Sequence, residues 1–328
     1  MKTLVTGGAG YIGSVVAAEL LRAGHQVVVL DNLSNGNRRA VPQGASLVVG
    51  EIGDTSALAR LFHAHSFDAV LHFAAFMDVG ESMQAPERYF RNNTSGTMTL
   101  VEAMLEHSVT HLVFSSSAAV YGNAQSVPIE ETAPLSPVSV YGESKLLTER
   151  MLEWLYKIRN LRYASLRYFN AAGAADGLGE DHPRETHLIP LTLKVALGQR
   201  ESVEIYGTDY PTQDGTCVRD YIHVTDLAAA HVLALEALRR DGSGQLIYNL
   251  GNNRGFSVRE VIETVRRVTG HPIPMRTSPR RPGDPAVLVA SSAKIQRELN
   301  WRPALPELEQ IVSSAWEWHR KHANGYSE

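Results

Sequence analysis

A chain of 328 residues has room for about two domains of ordinary size. With 44% hydrophobic and 20% charged residues it is globular in composition, which excludes disordered, collagen-like and disulfide-scaffold chains. A formal charge of −4 offers no basic field to nucleic acid or an anionic membrane, and one cysteine, Cys217, excludes an internal disulfide and any multi-cysteine metal site.

Taken in order, Thr3 to Thr6 reads as a strand, Gly7 to Gly13 as a glycine-rich turn, and Ser14 to Arg22 as a helix stopped at Gly24. Gln26 to Leu30 reads as a buried strand ending in Asp31. The alternation continues with strand Ser46 to Val49, helix Thr55 to His63, strand Ala69 to Phe73 and helix Glu87 to Glu106. Strand His111 to Ser115, helix Tyr141 to Asn160 and strand Ala164 to Tyr168 complete it. Such alternation forces parallel pairing with right-handed crossovers, so the expected fold class is α/β, a Rossmann-like doubly wound parallel sheet.

After Asn170, Gly, Asp, Pro and His crowd the stretch Gly173 to Pro183. A boundary is expected there, with residues 1–170 forming a dinucleotide-binding domain and 171–328 a smaller α/β substrate domain. A capping box, Ser257-Val258-Arg259-Glu260, starts a helix in the second half. No apolar stretch approaches the ~20 residues of a membrane helix, and the first residues lack a secretory pattern, so the expected location is the cytoplasm.

Gly7, Gly10 and Gly13 sit directly after a strand and open a helix. Missing side chains there let backbone approach a pyrophosphate, which rests on the unpaired N–H groups of the helix end. Asp31 follows Gly13 at about the ~20-residue spacing of an acid that accepts from both adenosine ribose hydroxyls; it would repel a 2′-phosphate, so NAD is expected over NADP. Tyr141 and Lys145 stand one helical turn apart, on the same face. Bringing a phenol from ~10 to neutral pH takes about 4 kcal/mol, which one cation ~4 Å away supplies at an effective dielectric of ~20. Lys145, helped by a cationic nicotinamide, would make Tyr141 a general base, and Ser115, Ser116 and Ser117 end the preceding strand where ligands bind in such sheets. The histidines show no metal-ligand spacing: His63 and His65 lie at a helix end, His182 and His187 in the loop after the boundary, and no metal is expected.

The chain resembles the extended short-chain dehydrogenase/reductase superfamily and, within it, the UDP-glucose 4-epimerases, over essentially its whole length. The resemblance rests on Thr6 to Gly13, Asp31-Asn32-Leu33, His72 to Ala75, Ser115 to Gly122, Tyr141 to Lys145, Leu166 to Asn170 and, most specifically, Gly207 to His223. It implies epimerisation at C4 of UDP-hexoses through a 4-keto intermediate, with tightly held NAD. Ser117, Tyr141 and Lys145 are implied as catalytic. Cofactor contacts are implied at Gly7, Gly10, Tyr11, Ile12, Gly13, Asp31, Asn32, Leu33, Ser34, Asn35, Gly36, Glu51, Ile52, Phe73, Ala74, Ala75, Asn92, Ser115, Tyr168 and Phe169 as well as Tyr141 and Lys145. The UDP-sugar is implied to meet Ser117, Tyr141, Asn170, His187, Leu188, Tyr206, Arg219, Arg281, Asp284 and Leu288, mainly from residues 171–328.

Some positions depart from the pattern. Glu51 stands where an Asp often meets the adenine, Met77 where many members carry a Lys, and His187 where an amide is usual. Leu288 holds a position that the resemblance links to tolerance of N-acetylated sugars. Other substrates kept open are UDP-N-acetylhexosamines, UDP-pentoses and UDP-uronates, and a nonenzymatic NAD-binding regulator remains a remote alternative. A dehydratase is disfavoured by Ser116-Ser117 in place of an Asp-Glu pair. The resemblance also implies a homodimer through the helices Glu87 to Glu106 and Tyr141 to Asn160, with Met98, Leu147, Met151, Trp154 and Leu155 as outward apolar candidates.

Overall fold

The structure, a computed structural model, describes residues 1–240, 244–281 and 284–326. Its strands are β1 (Lys2–Thr6), β2 (Gln26–Asp31), β3 (Ser46–Val49), β4 (Ala69–His72), β5 (His111–Ser117), β6 (Arg162–Tyr168) and β7 (Asn170–Ala172). They continue as β8 (Val203–Tyr206), β9 (Val218–His223), β10 (Gln245–Leu250), β11 (Gly255–Ser257), β12 (Met275–Ser278) and β13 (Val287–Leu288). Seven of these described strands form one parallel sheet in the order β10-β6-β5-β4-β1-β2-β3. The order reverses between β1 and β4, and there the carboxyl ends of the strands open a crevice.

Side chains alternate across the sheet, so each strand feeds two cores. Val5, Val29, Leu71, Val113 and Leu166 pack on one face with the helices Tyr11–Arg22 and Val224–Leu238. Leu4, Val28, Val70, Leu112 and Phe114 pack on the other with Leu58, Leu61, Leu100, Met104 and Leu152. Burial on both faces is why these strands read as continuous apolar runs.

The division expected near residue 170 falls between β6 and β7, but the chain beyond it serves two bodies. Helix Val224–Leu238 and β10 return to the large sheet, where β10 pairs with β6 from Gln245↔Tyr163 to Leu250↔Tyr168. An unpaired β6 edge would leave its N–H and C=O groups without partners, and β10 satisfies them. The remaining elements enclose their own core of Ile189, Leu193, Ile205, Phe256, Val261, Val265, Ile311 and Val312. The helix expected over Glu87 to Glu106 is interrupted by a wide turn, Phe90–Gly96, between helical segments Pro86–Tyr89 and Thr97–Glu106. Buried Asn93 sits in that turn and hydrogen-bonds both backbone groups of Phe76 at 2.9 and 3.0 Å, as well as the Ser144 hydroxyl. Among the described residues no helix is long and apolar enough to cross a membrane.

One ion pair in the sheet is fully enclosed. Arg167 on β6 meets Glu149 of helix Val140–Arg159 at 2.6 Å, with 2% and 5% of their side chains exposed, and Ser116 donates to the same carboxylate. Truncating one partner leaves the other charged without compensation. Arg167→Met is therefore expected to lower unfolding free energy by about 3–5 kcal/mol, read from chemical denaturation curves.

Candidate active site

The glycine turn fits its position through sterics. Gly7 has φ +72°, and a Cβ there would lie 2.6 Å from the Ala74 nitrogen; a Cβ on Gly13 would lie 2.3 Å from the Gly7 carbonyl oxygen. Only bare backbone lets helix Tyr11–Arg22 start this close to β1 and β4. Its N-cap is Gly10, no side chain caps it, and its first turn holds no acid, so its amides face the crevice as a ready anion site. Asp31 is buried at the end of β2 and accepts from Ala9 N at 2.9 Å and Leu33 N at 2.8 Å, one bond per oxygen. Burial raises its carboxyl above the usual range against these two bonds. Each oxygen keeps acceptor capacity for a ribose hydroxyl. Asn32 donates to both oxygens of Glu51 at 3.1 Å on the adjacent wall.

Helix Val140–Arg159 brings the phenol and the lysine. Ser139 caps it by accepting from Gly142 N, and Gly142 itself is required, since a Cβ there would sit 2.5 Å from the Ala119 carbonyl oxygen. That close approach lays Tyr141 against Ser117, whose hydroxyl bonds the phenol and also accepts from Ala119 N at 3.1 Å. Ser116 points away, to Glu149. Lys145 is 3% exposed, donates to the Ser115 carbonyl at 2.7 Å, and holds its ammonium 5.9 Å from the centre of the Tyr141 ring.

The electrostatics differ from the sequence expectation. Burial raises the Tyr141 phenol above its ordinary value, outweighing the Ser117 bond, and burial lowers Lys145 to about 7 against the pull of Glu149. In the protein alone, desolvation governs both groups, because the lysine reaches past the phenol to a β5 carbonyl instead of contacting it.

The opposite wall comes from the second body. Asn170 on β7 donates to the Asp220 carbonyl at 2.9 Å, and Arg219 on β9 pairs with Asp284. Arg281 lies over the Tyr206 ring at 3.8 Å, and Leu288 on β13 sits in register with Arg219. Asp220 binds the backbone of Asn252 and Ala290, which fixes β9 against the end of β10 and the segment after β13.

All the residues expected to meet cofactor or substrate line one cavity of about 1170 Å³, with the exception of Leu33, whose amide instead serves Asp31. Sequence reading missed Asp78, Met83, Arg184 and Arg200, which also line it. It also missed a cluster beside His187: Glu180, His182, Glu185 and His187 present ligating atoms within 4.8 Å of one another. The histidines were read separately from the glutamates; read together, Glu-x-His-x-x-Glu-x-His is the signal.

The sequence profile of the NAD dependent epimerase/dehydratase family matches residues 3–251. The chain belongs to that family. Within the family it is 54% identical to a UDP-glucose 4-epimerase of Halalkalibacterium halodurans, across all of this chain and 98% of that one. Its fold superposes with a TM-score of 0.97 on a crystal structure of a UDP-glucose 4-epimerase, 48% identical, with all of both chains covered. It superposes at 0.94 on a UDP-glucose 4-epimerase of Stenotrophomonas maltophila with bound NAD and formylated UDP-arabinopyranose, 43% identical over 99% of each chain. For a family named for its NAD dependence, the glycine cradle, the uncapped helix start and Asp31 form a fitting set of cofactor groups.

Proposed function

We propose that this chain interconverts UDP-glucose and UDP-galactose by NAD-dependent epimerisation at C4, through a transient 4-keto sugar. The observation that carries this reading is one cavity joining the Tyr141–Ser117 pair and Lys145 to an uncapped helix start on one wall and to Arg219 and Arg281 on the other. NAD⁺, when bound, supplies the acceptor and then the donor of the C4 hydride. Tyr141 takes the proton of the C4 hydroxyl, and Ser117 shares the hydrogen bonds of O4 and of the phenol. Lys145 as a cation favours the phenolate that takes this proton and that forms again when the proton is returned. Arg219 and Arg281 hold the diphosphate, so that the keto sugar, free of other anchors, presents its opposite face. Tyr141 then returns the proton to O4 on that face. Hydride and proton both return to the group they left, so configuration inverts without net oxidation.

The test is incubation of purified protein with UDP-galactose, without added NAD, and separation of the products. UDP-glucose is expected; no conversion even after NAD is supplied overturns the reading.

Leu288 favours a broader range within the same reading. It is half-buried against the apolar cluster that includes Phe169, Ala290 and Tyr121, and an aromatic ring there would occupy more of the cavity. N-acetylated UDP-hexoses are expected to be turned over as well. Leu288→Tyr is expected to lower that activity at least about 10-fold, as one misfitted group in a pocket costs, while UDP-galactose turnover changes less. Parallel kcat/KM measurements on both sugars check it.

The location proposed is the cytoplasm, and the assembly a homodimer. Trp154 and Ile158, 65% and 72% exposed and one turn apart on helix Val140–Arg159, are the apolar surface that supports it. A hydrodynamic mass near that of one chain, 36.0 kDa, would exclude the dimer.

A further inference from the structure

The segment between β7 and helix Leu188–Ala196 carries a group of side chains of which the resemblance gives only His187 a part, toward the UDP-sugar. Glu180, His182, Glu185 and His187 converge beside the cavity, which the first two and His187 line. The Nδ1 atom of His187 lies 2.7 Å from Glu180 Oε1 and 3.0 Å from Glu185 Oε1, and Nδ1 of His182 lies 3.3 Å and 3.5 Å from oxygens of the same two carboxylates. Four donors bound tetrahedrally at 2.0–2.2 Å from one ion would stand about 3.3–3.6 Å apart. The two His182 spacings match that value and the two His187 spacings are shorter, with every ligating atom within 4.8 Å of the others.

A surface acidic cluster does not look like this. The Glu180 and Glu185 side chains are 6% and 3% exposed and that of His182 is 10% exposed; His187 alone is half open, toward the cavity. Two carboxylates buried side by side require positive charge between them, supplied by the two imidazoles when they are protonated and by an ion when they are neutral ligands. The arginine of the segment, Arg184, is turned out to solvent with its guanidinium 3.9 Å from Asp78, so the carboxylates have only the two histidines beside them in this segment. Independently, His182 Nδ1 is buried without a hydrogen-bond partner although two carboxylates lie beside it. Its approach brings the ring nitrogen near those oxygens without the alignment of a hydrogen bond, as expected of an atom aimed at a point shared with them.

The geometry points to a mononuclear divalent transition-metal site of the zinc class, built from Glu180, His182, Glu185 and His187. Two imidazoles and two carboxylates at tetrahedral span suit such an ion, whereas magnesium and calcium take all-oxygen shells with more ligands. The ion is structural. It fastens the loop after β7 to the start of helix Leu188–Ala196, one residue from the wall at Leu188, and holds His182 edge-on to Tyr11 at 6.5 Å. Tyr11 in turn donates to the Gly173 carbonyl at 2.6 Å, so the clamp reaches the glycine turn.

The test uses the full-length protein, stripped with chelator, reloaded with Zn²⁺ or Co²⁺ and desalted. The expected result is one ion retained per chain by elemental analysis, a rise in melting temperature on Zn²⁺ addition, and the visible absorption of four-coordinate Co²⁺. His182→Gln and Glu185→Gln are each expected to weaken Zn²⁺ binding at least about 100-fold, since even losses outside the ligand shell cost 10–100-fold. Failure of the folded wild type to retain metal, or retention undiminished in both variants, overturns the site. If a variant does not fold, the wild-type Co²⁺ spectrum still decides. Metal content is read without substrate, so this result stands apart from the outcome of the epimerase assay.

Discussion

Tyr141→Phe is expected to lower kcat for UDP-galactose by about 10²–10⁴-fold, the range for losing a positioned acid–base group, with KM little changed. The phenol's hydroxyl meets the Ser117 hydroxyl, while its ring lies beside Lys145. Phenylalanine therefore keeps the packing and removes only the hydroxyl proposed to carry the proton. Binding of the nucleotide should persist, because Arg219 and Arg281, proposed to meet it, are untouched by the change. Steady-state kinetics with circular dichroism as a check of folding measures this. A loss smaller than about 10-fold would assign the proton to another group.

The second large effect is that of Lys145→Met, which is expected to lower kcat about 10²-fold or more and to move the rising limb of its pH profile upward. The sign follows from the charges. Burial alone raises the Tyr141 phenol, and a nearby cation favours the phenolate and so lowers it. Removing the ammonium leaves the burial effect opposed by the Ser117 bond alone, so ionisation of the phenol requires higher pH. The lysine's own ionisation is also displaced, to about 7, because burial disfavours its cation against the pull of Glu149. The profile of kcat from about pH 6 to about pH 10 separates the roles. A lower kcat with an unmoved limb would make Lys145 a positioning residue only.

Local spacing carried the first half of the site. Gly7, Gly10, Gly13 and Asp31 belong to one strand–turn–helix–strand unit, and Tyr141 and Lys145 to one helix, so short-range geometry places them. Arg219, Arg281 and Leu288 gave no such signal. They meet through β9 pairing with β13 and through a cation over Tyr206, contacts between distant parts of the chain that only resemblance anticipated. Lys145 shows the limit of spacing even within a helix. Its position relative to Tyr141 was legible, but its hydrogen bond to Ser115 depends on how the helix docks on β5. The return of β10 to the large sheet was invisible for the same reason: a buried strand reads alike in either body.

That return orders events during synthesis. When residue 170 has left the ribosome, β1 to β6 are complete, yet β6 ends the sheet with an open edge, and Tyr163, Ala164 and Leu166 lack their neighbours on β10. The edge stays open through some eighty more residues of translation, until Gln245–Leu250 emerges and helix Val224–Leu238 closes over the face. A nascent chain halted in that interval exposes both a pairing edge and an apolar surface, the features by which unfinished chains aggregate or engage chaperones.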